Sequence, residues 1–450
     1  MASDTVFNER IASSMHDVAD ARSLKDSSAE ADIRNRIQRL EGGGLRTFAT
    51  PDPLVVERGQ GAWLYGPDGR AYLDLAGSFA VTATGHCHPK VVAAIKAQSE
   101  KLIHCPSAYP SELRAEFYET VESLCAPVFG NLKIMPAMTG GMANEMAFAL
   151  VRWLRPGCEF ITFSGGYYGR SVGAAGFAGK SQYRQALGVS AQAHYAPFPY
   201  PLRHGENATD FTMRYLESLT GPGGGAGKIG AVVVEPIQGN GGVVVPPQDF
   251  LPRLRAFCDR IGALLVIDEI QSGCGRTGLM WAVQHSGVVP DLMTIGKGIG
   301  GNMGVTALVG KPEHMTWTAD AYSATHLTNQ VALAAAIAAM RVVQEEGLAE
   351  RSRQLGERYL AWLRDALEGV ARVAEVRGRG LWFGIEITDA SGAPARALAM
   401  SISRRLRERG VIMGAGGYAG NCIKVQPALV VDEGDLRAGL DKVVAALREA

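Results

Sequence analysis

Short apolar runs alternate with longer amphipathic stretches between about Val91 and Ile295. The apolar runs have strand length, and each of them ends in polar residues; they cover residues 158–165, 229–237, 263–270 and 291–298. The intervening stretches, such as residues 143–154 and 250–262, carry apolar side chains at helical spacing. This alternation predicts a mostly parallel sheet that is covered on both faces by helices.

The two ends of the chain have different patterns. Residues 27–40 are typical of an exposed helix that ends at a glycine-rich stretch, and residues 61–75 predict a hairpin around Gly-Pro-Asp-Gly. After Leu327 a long helix leads to a smaller set of elements, the strands 380–388 and 422–429 and the helix 397–410. We therefore predict an α/β fold in three parts: an N-terminal helical segment and hairpin joining the small domain (1–75), a large domain (76–330) and a small C-terminal domain (331–450).

Composition narrows the class of protein. Lys plus Arg and Asp plus Glu both number 45, so the zero net charge does not favour nucleic acid or an anionic membrane as a partner. The seven cysteines include no CxxC pair, which argues against a zinc site or a disulfide framework and favours the cytoplasm. The first 26 residues lack the apolar centre of a signal peptide, and the longest apolar run, residues 331–340, is about half a membrane span. We expect a cytoplasmic protein without a metal.

Four of the predicted strands end in residues that can carry chemistry. One ends at Glu235, one at Asp268 followed by Glu269, one at Lys297, and one leads into Tyr167 and Tyr168. Ligands of an open parallel sheet bind beyond the carboxyl ends of its strands. We therefore expect an acid, a lysine and an aromatic pair to meet at one edge of the sheet.

Pyridoxal 5′-phosphate would explain this set of residues. The cofactor needs a lysine for its Schiff base, a carboxylate at its pyridine nitrogen and an aromatic ring on its face. Its phosphate favours a helix N-terminus, which Thr139, Gly140 and Gly141 supply before the helical stretch 143–154. A lysine in a turn, an aspartate after a strand or a Gly-Gly pair is, taken alone, more often structural. Their order and spacing together favour a cofactor site.

The motifs LVIDEIQSGCGRTG, PDLMTIGKGIGGNMGVTALV and ATHLTNQVALAAAIA resemble those of the class III pyridoxal-phosphate-dependent aminotransferases, from about Pro53 to Leu440. Within that family the chain is similar to dialkylglycine decarboxylase and to the ω-amino transaminases. The resemblance implies fold type I, with a large domain built on a mostly parallel sheet plus a smaller α/β domain. It also implies a homodimer with shared active sites.

The resemblance assigns roles to matching residues. Lys297 would form the Schiff base and move protons, and Asp268 would pair with the pyridine nitrogen. The remaining cofactor contacts would be Gln271 at the 3′-oxygen, Ile270 and Tyr167 on the two ring faces, Gly140 and Gly141 at the phosphate, and Thr325 at the phosphate of the partner subunit. Glu235 matches an acid that shapes the substrate end.

The chain departs from the family pattern at four positions. Met142 stands in place of an acid in the phosphate loop, and Tyr168 in place of a histidine. Lys424 replaces an arginine that holds the substrate α-carboxylate, and lysine cannot reproduce a bidentate fork. Phe79 replaces a glutamine of the decarboxylase. These exchanges favour a substrate without a carboxylate on its reacting carbon, unless another arginine, such as Arg276, holds that group.

The favoured function is therefore transfer of an amino group from a donor, glutamate or alanine, to an aldehyde or ketone such as an amino-sugar or ω-amine precursor. A decarboxylating transamination, or an isomerisation within one substrate, is the alternative within the same cofactor chemistry. A non-catalytic relative that acts as a binding subunit is the alternative of another class, and the joint presence of Lys297, Asp268 and Gln271 disfavours it.

Overall fold

The computed structural model describes residues 28–50 and 52–450. The described helices are Ser28–Leu40, Pro89–Lys101, Glu112–Phe129, Gly140–Leu154, Val172–Ala175, Ser181–Leu187, Pro201–His204, Ala208–Thr220, Phe250–Ile261, Gln330–Glu345, Leu348–Leu367, Arg396–Glu408 and Glu433–Arg448. Short 3-10 helices lie at Thr47–Ala49, Ala282–Ser286 and Lys297–Gly300. The strands are β1 (Arg58–Gln60), β2 (Trp63–Tyr65), β3 (Ala71–Asp74), β4 (Lys133–Ala137), β5 (Glu159–Phe163), β6 (Ala193–Ala196), β7 (Ile229–Val234), β8 (Leu264–Glu269), β9 (Leu292–Ile295), β10 (Thr306–Gly310), β11 (Val373–Gly378), β12 (Phe383–Ile387), β13 (Val411–Ile412), β14 (Gly414–Gly416) and β15 (Cys422–Val425).

The chain divides into two compact units. One comprises the described residues up to Arg58 together with Tyr65–Ala71, and the other comprises Gly59–Leu64 and Tyr72–Ala450. In the first unit the helix predicted over residues 27–40 is Ser28–Leu40, residue 27 lying outside the described part. The predicted Gly-Pro-Asp-Gly turn closes through a 3.0 Å hydrogen bond from the Gly66 N–H to the Arg70 carbonyl. The predicted domain limits at residues 75 and 330 remain predictions.

The second unit is built on a seven-stranded sheet of order β4-β10-β9-β8-β7-β5-β6. Strands β9, β8, β7, β5 and β6 pair in parallel, whereas β10 is antiparallel to both of its neighbours. The sheet is therefore mostly parallel, as the alternating pattern predicts. Strands β4, β6 and β10 of this sheet are not predicted by the sequence pattern.

The continuous apolar runs follow from burial of both faces of this sheet. In β8, Leu265 and Ile267 pack in one hydrophobic core, while Leu264 and Val266 pack in another on the opposite face. A strand with two covered faces has no position for a solvated side chain, so it lacks the usual polar alternation. The same division holds for β7, where Val232 and Val234 face one core.

A second, four-stranded sheet of order β11-β12-β15-β14 lies in the C-terminal part and is antiparallel throughout. Helix Arg396–Glu408 lies between β12 and β15 in the chain, as the sequence pattern predicts, and the short strands β13 and β14 follow it. The predicted apolar helix over residues 331–340 is the buried helix Gln330–Glu345. Among the described residues, no helix combines the length and the apolar character needed to cross a membrane.

Candidate active site

The carboxyl end of β8 places its two acids on opposite faces of the sheet. The sequence predicts a strand that ends on these acids, and they are its last two residues. Side chains alternate along a strand, so Asp268 shares the face of Val266, and Glu269 that of Ile267. Both carboxylates are almost fully buried. The two acids therefore contact different parts of the molecule.

Asp268 is held by donors from two elements. Its Oδ2 accepts a 2.8 Å hydrogen bond from Asn144 Nδ2, and its Oδ1 accepts one of 2.9 Å from the Ile270 N–H. Asn144 is itself oriented by Thr294, whose Oγ1 donates to Asn144 Oδ1 at 3.0 Å. Burial raises the pKa of Asp268 to about 6, against the lowering effect of these donors and of Lys297. The carboxylate is thus fixed in direction and poorly solvated.

Glu269 has a structural role. It accepts a hydrogen bond from Ser272 Oγ at 2.5 Å and one from the Val283 N–H at 2.6 Å. Burial raises its pKa to about 7. These bonds tie the end of β8 to the turn that follows it, and so fix the segment that carries Ile270 and Gln271.

Lys297 begins a tight turn that is separated from the end of β9 by one residue. Its backbone has φ 47°, a left-handed conformation, and it opens the 3-10 helix Lys297–Gly300. Gly298 is required there, because a Cβ would lie 2.9 Å from the Cβ of Cys274. Burial lowers the pKa of the Lys297 amine to about 8; Asp268 and Glu235 act against this shift, and the positive charge of Lys424 adds to it. The amine therefore shares its field with both acids and a second lysine.

Glu235, directly after β7, faces the same edge. Its Oε1 accepts a 2.9 Å hydrogen bond from the Tyr167 N–H, and its Oε2 one of 3.0 Å from the Gly239 N–H. Burial and the nearby charge of Asp268 raise its pKa to about 8. Glu235 thereby anchors the loop that carries Tyr167, whose ring is half-buried and lies edge-on to Tyr183 at a centroid distance of 5.5 Å.

Tyr168 belongs to the core, although the sequence places it beside Tyr167 as a candidate for the site. It is 1% exposed, and its hydroxyl donates to the Val233 carbonyl at 3.0 Å. Its own carbonyl accepts a hydrogen bond from Asn144 Nδ2 at 2.9 Å. Tyr168 thus links the loop to the helix that supports Asp268.

The helix Gly140–Leu154 begins beside these groups. Thr139 caps it, accepting a 3.1 Å hydrogen bond from the Met142 N–H, so Gly140 and Gly141 form the first turn rather than precede it. A Cβ on Gly140 would lie 3.0 Å from Cδ1 of Ile270, so that glycine leaves room for the Ile270 side chain. Backbone N–H groups of a first helical turn have no partners within the helix and suit an anion.

Gln271 is tied to the C-terminal part of the chain. Its Nε2 donates to Oε1 of Gln426 at 3.1 Å. The same Oε1 accepts a 3.0 Å hydrogen bond from the indole of Trp382, and Gln426 Nε2 donates to the Ala76 carbonyl at 3.1 Å. Three distant segments, those of Gln271, Trp382 and Ala76, therefore converge on the Gln426 side chain.

Lys424 lies in the middle of β15, opposite Gly384 of β12 and Gly414 of β14. It is 9% exposed, and a Cβ on Gly416 would lie 3.3 Å from its Nζ. Its charge acts on Lys297, which places it within electrostatic reach of the site. The arginine named as an alternative, Arg276, is buried and donates through Nη1 to the carbonyls of Leu381 and Pro427, while its buried Nη2 has no hydrogen-bond partner among the described residues. Its role as a carboxylate contact remains a prediction.

Phe79 lies in an unusual turn. Gly77, Ser78, Phe79 and Ala80 all have positive φ, between 45° and 65°, and form one left-handed turn. Asp74 fixes it, since Oδ2 accepts hydrogen bonds from the Ser78 N–H at 2.9 Å and from Ser78 Oγ at 3.0 Å. A Cβ on Gly77 would lie 2.3 Å from the Gln426 carbonyl oxygen, so the turn packs directly against the segment after Lys424.

Thr325 is exposed and lies in the segment between β10 and helix Gln330–Glu345. No other candidate residue contacts it among the hydrogen bonds formed by the described residues. Its predicted contact with a partner subunit remains a prediction.

Comparison with known proteins identifies the family. The family model for aminotransferase class-III matches residues 47–447. The 5-aminovalerate aminotransferase of Pseudomonas aeruginosa is 34% identical over 90% of this chain and 96% of its own length. An alanine/serine racemase of Pyrococcus horikoshii is 31% identical over 91% of this chain and 88% of its own. The ornithine aminotransferase of Toxoplasma gondii superposes with a TM-score of 0.81 at 25% identity, covering 94% of this chain and 96% of that one.

The chain belongs to the class III aminotransferases. The fold is accordingly that of the fold type I transferases, and the cofactor of the family is pyridoxal phosphate. The predictions of family, fold class, enzyme class and cofactor are confirmed.

The residues of this aminotransferase fit that cofactor. A desolvated lysine and a buried, directed carboxylate act on each other electrostatically, and a capped helix N-terminus with glycines in its first turn lies beside Ile270. The donor set thus offers one amine, one anion and one anion-binding backbone. These are the three groups that the aldehyde, the ring nitrogen and the phosphate require.

Sequence reasoning missed three residues of the site: Asn144, Trp382 and Gln426. Asn144 carries a detectable signal, because it is a polar residue in the apolar stripe of its helix, beside Ala143 and Met146. The other two have no such signal, because their role depends on contacts between segments far apart in the chain.

Proposed function

We propose that this aminotransferase moves an amino group from glutamate or alanine to an aldehyde or ketone whose reacting carbon carries no carboxylate. The product would be an ω-amine or an amino sugar. The observation that carries the proposal is the placement of Lys424, buried on β15 and acting on the amine of Lys297. The resemblance places an arginine at this position in relatives that hold an α-carboxylate.

The exchange of arginine for lysine changes what the site can hold. A guanidinium offers two parallel N–H groups to a carboxylate, which fixes both position and angle, whereas an ammonium is a compact point charge. An α-carboxylate would therefore be attracted by Lys424 but less firmly oriented. A substrate with its carboxylate far from the reacting carbon, or with none, loses less by the exchange.

The 5-aminovalerate aminotransferase supports this proposal, because its named substrate carries the amine on a terminal carbon. That relative shares 34% identity with the chain over most of both lengths. We infer that a terminal amine is the chemical group exchanged here. The aldehyde or ketone precursor of an amino sugar is the alternative acceptor.

The proposed roles of the side chains follow the site geometry. The cofactor supplies an electron-withdrawing ring, and the chain supplies the groups that hold it and move protons. Lys297 would bind the aldehyde and carry the proton to and from the substrate carbon, because its lowered pKa leaves part of the amine neutral near neutral pH. Asp268 would keep the ring nitrogen protonated. The other proposed contacts are Gln271, Ile270, Tyr167, Gly140 and Gly141, with Thr325 of a second copy, and Phe79, Glu235 and Lys424 at the substrate end.

A substrate screen of wild type and Lys424→Arg tests the proposal. The holoenzyme is mixed with single amines, among them terminal amines and α-amino acids, and the change in cofactor absorbance is followed. We expect terminal amines to react fastest with wild type, and Lys424→Arg to raise the second-order rate constant of this half-reaction for α-amino acids while it lowers that for terminal amines. Lys311→Arg, the same exchange at a lysine paired with Asp291 at 2.8 Å, serves as the control and leaves both values unchanged. Equal effects on terminal amines and on α-amino acids would show that Lys424 does not discriminate between them.

A second candidate function is isomerisation within one substrate, which the 31% identical alanine/serine racemase brings into consideration. Incubation of single amino acid enantiomers with an aldehyde or ketone acceptor, followed by chiral chromatography and assay of released keto acid, separates the two. An aminotransferase releases one keto acid or aldehyde per amine consumed, whereas a racemase releases none. Release of carbon dioxide from 2-aminoisobutyrate would instead support the decarboxylating alternative.

A further inference from the structure

We infer that Trp382 and Gln426 are positioning residues that fix which end of the Gln271 amide is presented to the cofactor. The inference rests on the proposed role of Gln271 at the cofactor 3′-oxygen. The three side chains form one chain of hydrogen bonds, from the Trp382 indole to Gln426 Oε1 and from Gln271 Nε2 to that same oxygen.

The orientation of the Gln426 amide follows from two partners that each have only one hydrogen-bonding capacity. The indole of Trp382 can only donate, so the Gln426 atom 3.0 Å away must be the oxygen. The Ala76 carbonyl can only accept, so the Gln426 atom 3.1 Å from it must be the nitrogen. Both partners require the same orientation, and the amide is therefore not ambiguous.

A fixed Gln426 determines the orientation of Gln271 in turn. The oxygen of Gln426 needs a donor from Gln271, which places Nε2 against it at 3.1 Å. Rotating the Gln271 amide by half a turn would set two carbonyl oxygens against each other. The oxygen of Gln271 lies against the backbone of Gly239, where a Cβ would be only 2.3 Å from it. Nε2 keeps a second hydrogen for another acceptor.

Burial makes a wrong orientation costly. Trp382 is fully buried and packs against Ile237 and Val243, and Gln426 is 2% exposed. The Gln426 N–H also donates to the Leu75 carbonyl at 2.7 Å, which fixes its backbone. A buried polar group that lost its partner here could not form a hydrogen bond with water instead. Breaking one bond of the network is therefore costly, and the three side chains keep their arrangement together.

The consequence concerns the charge state of the bound cofactor. A donor that faces an oxygen favours the deprotonated form of the group to which that oxygen belongs, and so lowers its pKa. If Gln271 turned freely, it would present its own oxygen part of the time and lose that effect. Trp382 and Gln426 would therefore lower the pH midpoint at which the absorbance of the bound cofactor changes.

The test is a pH titration of cofactor absorbance in the substrate-free holoenzyme. We expect Gln271→Leu to raise the midpoint by about one pH unit, the size that loss of one hydrogen bond to a charged group gives. We expect Gln426→Leu to raise it as well, but by less than Gln271→Leu, because a freely turning Gln271 still presents its donor part of the time. Gln98→Leu is the matched control: the same exchange at a buried glutamine that donates to the Leu102 carbonyl, and it leaves the midpoint unchanged.

Trp382→Phe keeps the packing and removes only the donor, so it covers the case in which Gln426→Leu fails to fold. We expect a smaller rise of the midpoint, and none when Trp382→Phe is added to Gln271→Leu. If Gln271→Leu moves the midpoint but the folded Gln426 and Trp382 variants keep the wild-type value, the positioning role is overturned. If Gln271→Leu itself leaves the midpoint unchanged, the proposed role of Gln271 is wrong and the inference falls with it.

Discussion

Four ionisable side chains share one desolvated site, and their charges constrain one another. Burial raises the pKa of Glu235 to about 8, so this acid is largely neutral at neutral pH, whereas Asp268, at about 6, is largely charged. Lys424 lowers the pKa of Lys297, and the two acids raise it. Burial therefore sets the direction of the pKa shift of Lys297, and its charged neighbours adjust the size of that shift.

The first prediction concerns the titration of Lys297 in the cofactor-free protein. We expect the amine to become reactive with a midpoint of about 8, well below the ordinary value for lysine. Trinitrobenzenesulfonate labelling across pH, with mass spectrometry of the peptide that contains Lys297, measures it. The fraction labelled should rise as pH increases through the midpoint, because only the neutral amine reacts.

Two variants should move that midpoint in opposite directions. Lys424→Met removes a neighbouring positive charge and raises the midpoint, whereas Asp268→Asn removes a stabilising negative charge and lowers it. Lys311→Met, remote from the site, is the control. An unchanged midpoint in both variants would show that burial alone sets the pKa.

Asp268→Asn is also expected to slow transamination by about a hundredfold or more, because a neutral amide cannot hold a proton on the ring nitrogen. Steady-state kinetics with the cofactor bound measures the loss. Asp291→Asn provides the contrast: it breaks ion pairs with Arg255 and Lys311 at 2.7 and 2.8 Å, and should lower the unfolding temperature but retain turnover. Near-normal turnover in Asp268→Asn would make its carboxylate structural.

At the scale of elements, the helix Gly140–Leu154 has two functions at once. Its first turn presents backbone N–H groups, and Asn144 on the next turn directs the carboxylate of Asp268. The cofactor phosphate and the ring nitrogen would therefore be positioned by one rigid body. A shift of this helix would move both contacts together.

We expect Gly140→Ala to weaken cofactor binding. The added Cβ would lie 3.0 and 3.1 Å from two carbons of Ile270, and overpacking of this kind costs about 1.4 kcal/mol, a roughly tenfold rise in the dissociation constant. Equilibrium dialysis against pyridoxal phosphate measures it. Gly225→Ala, where a Cβ meets nothing within 4 Å, should bind like wild type. An unchanged constant in Gly140→Ala would mean that Ile270 yields freely.

The elements that the sequence predicts are those whose burial requires a continuous run of apolar residues. The run 263–267 has both faces covered, so it is apolar throughout and marks β8 without ambiguity. Strand β4 contains Lys133 and Pro136 and pairs only with β10, which leaves it a weak pattern. Gln426 and Trp382 have no local pattern at all, since the contact with Gln271 joins residues 155 positions apart.

At the scale of the whole molecule, the site described in one chain lacks a contact from Thr325, which is exposed. The resemblance to the family implies that this residue reaches the phosphate of a second copy. We therefore propose a homodimer with composite sites.

Mixing two inactive variants tests that arrangement. Lys297→Ala should abolish turnover yet still bind cofactor weakly, and Thr325→Ala should bind cofactor poorly. In a mixed dimer one site receives both defects and the other receives neither, so partial activity should return after subunit exchange. Activity that stays absent after exchange, or a fully active monomer in sedimentation and kinetics at low concentration, would contradict composite sites.

The left-handed turn at Gly77–Ala80 bears on how this protein tolerates change. An L-residue in that conformation costs about 1–2 kcal/mol relative to the right-handed form, and three of the four residues are not glycine. Replacing Phe79, which is 54% exposed at φ 65°, by glycine is therefore expected to make the chain more stable, not less. Selection for thermal stability alone would therefore remove the Phe79 side chain. Selection for new substrates should begin with substitutions at the same position.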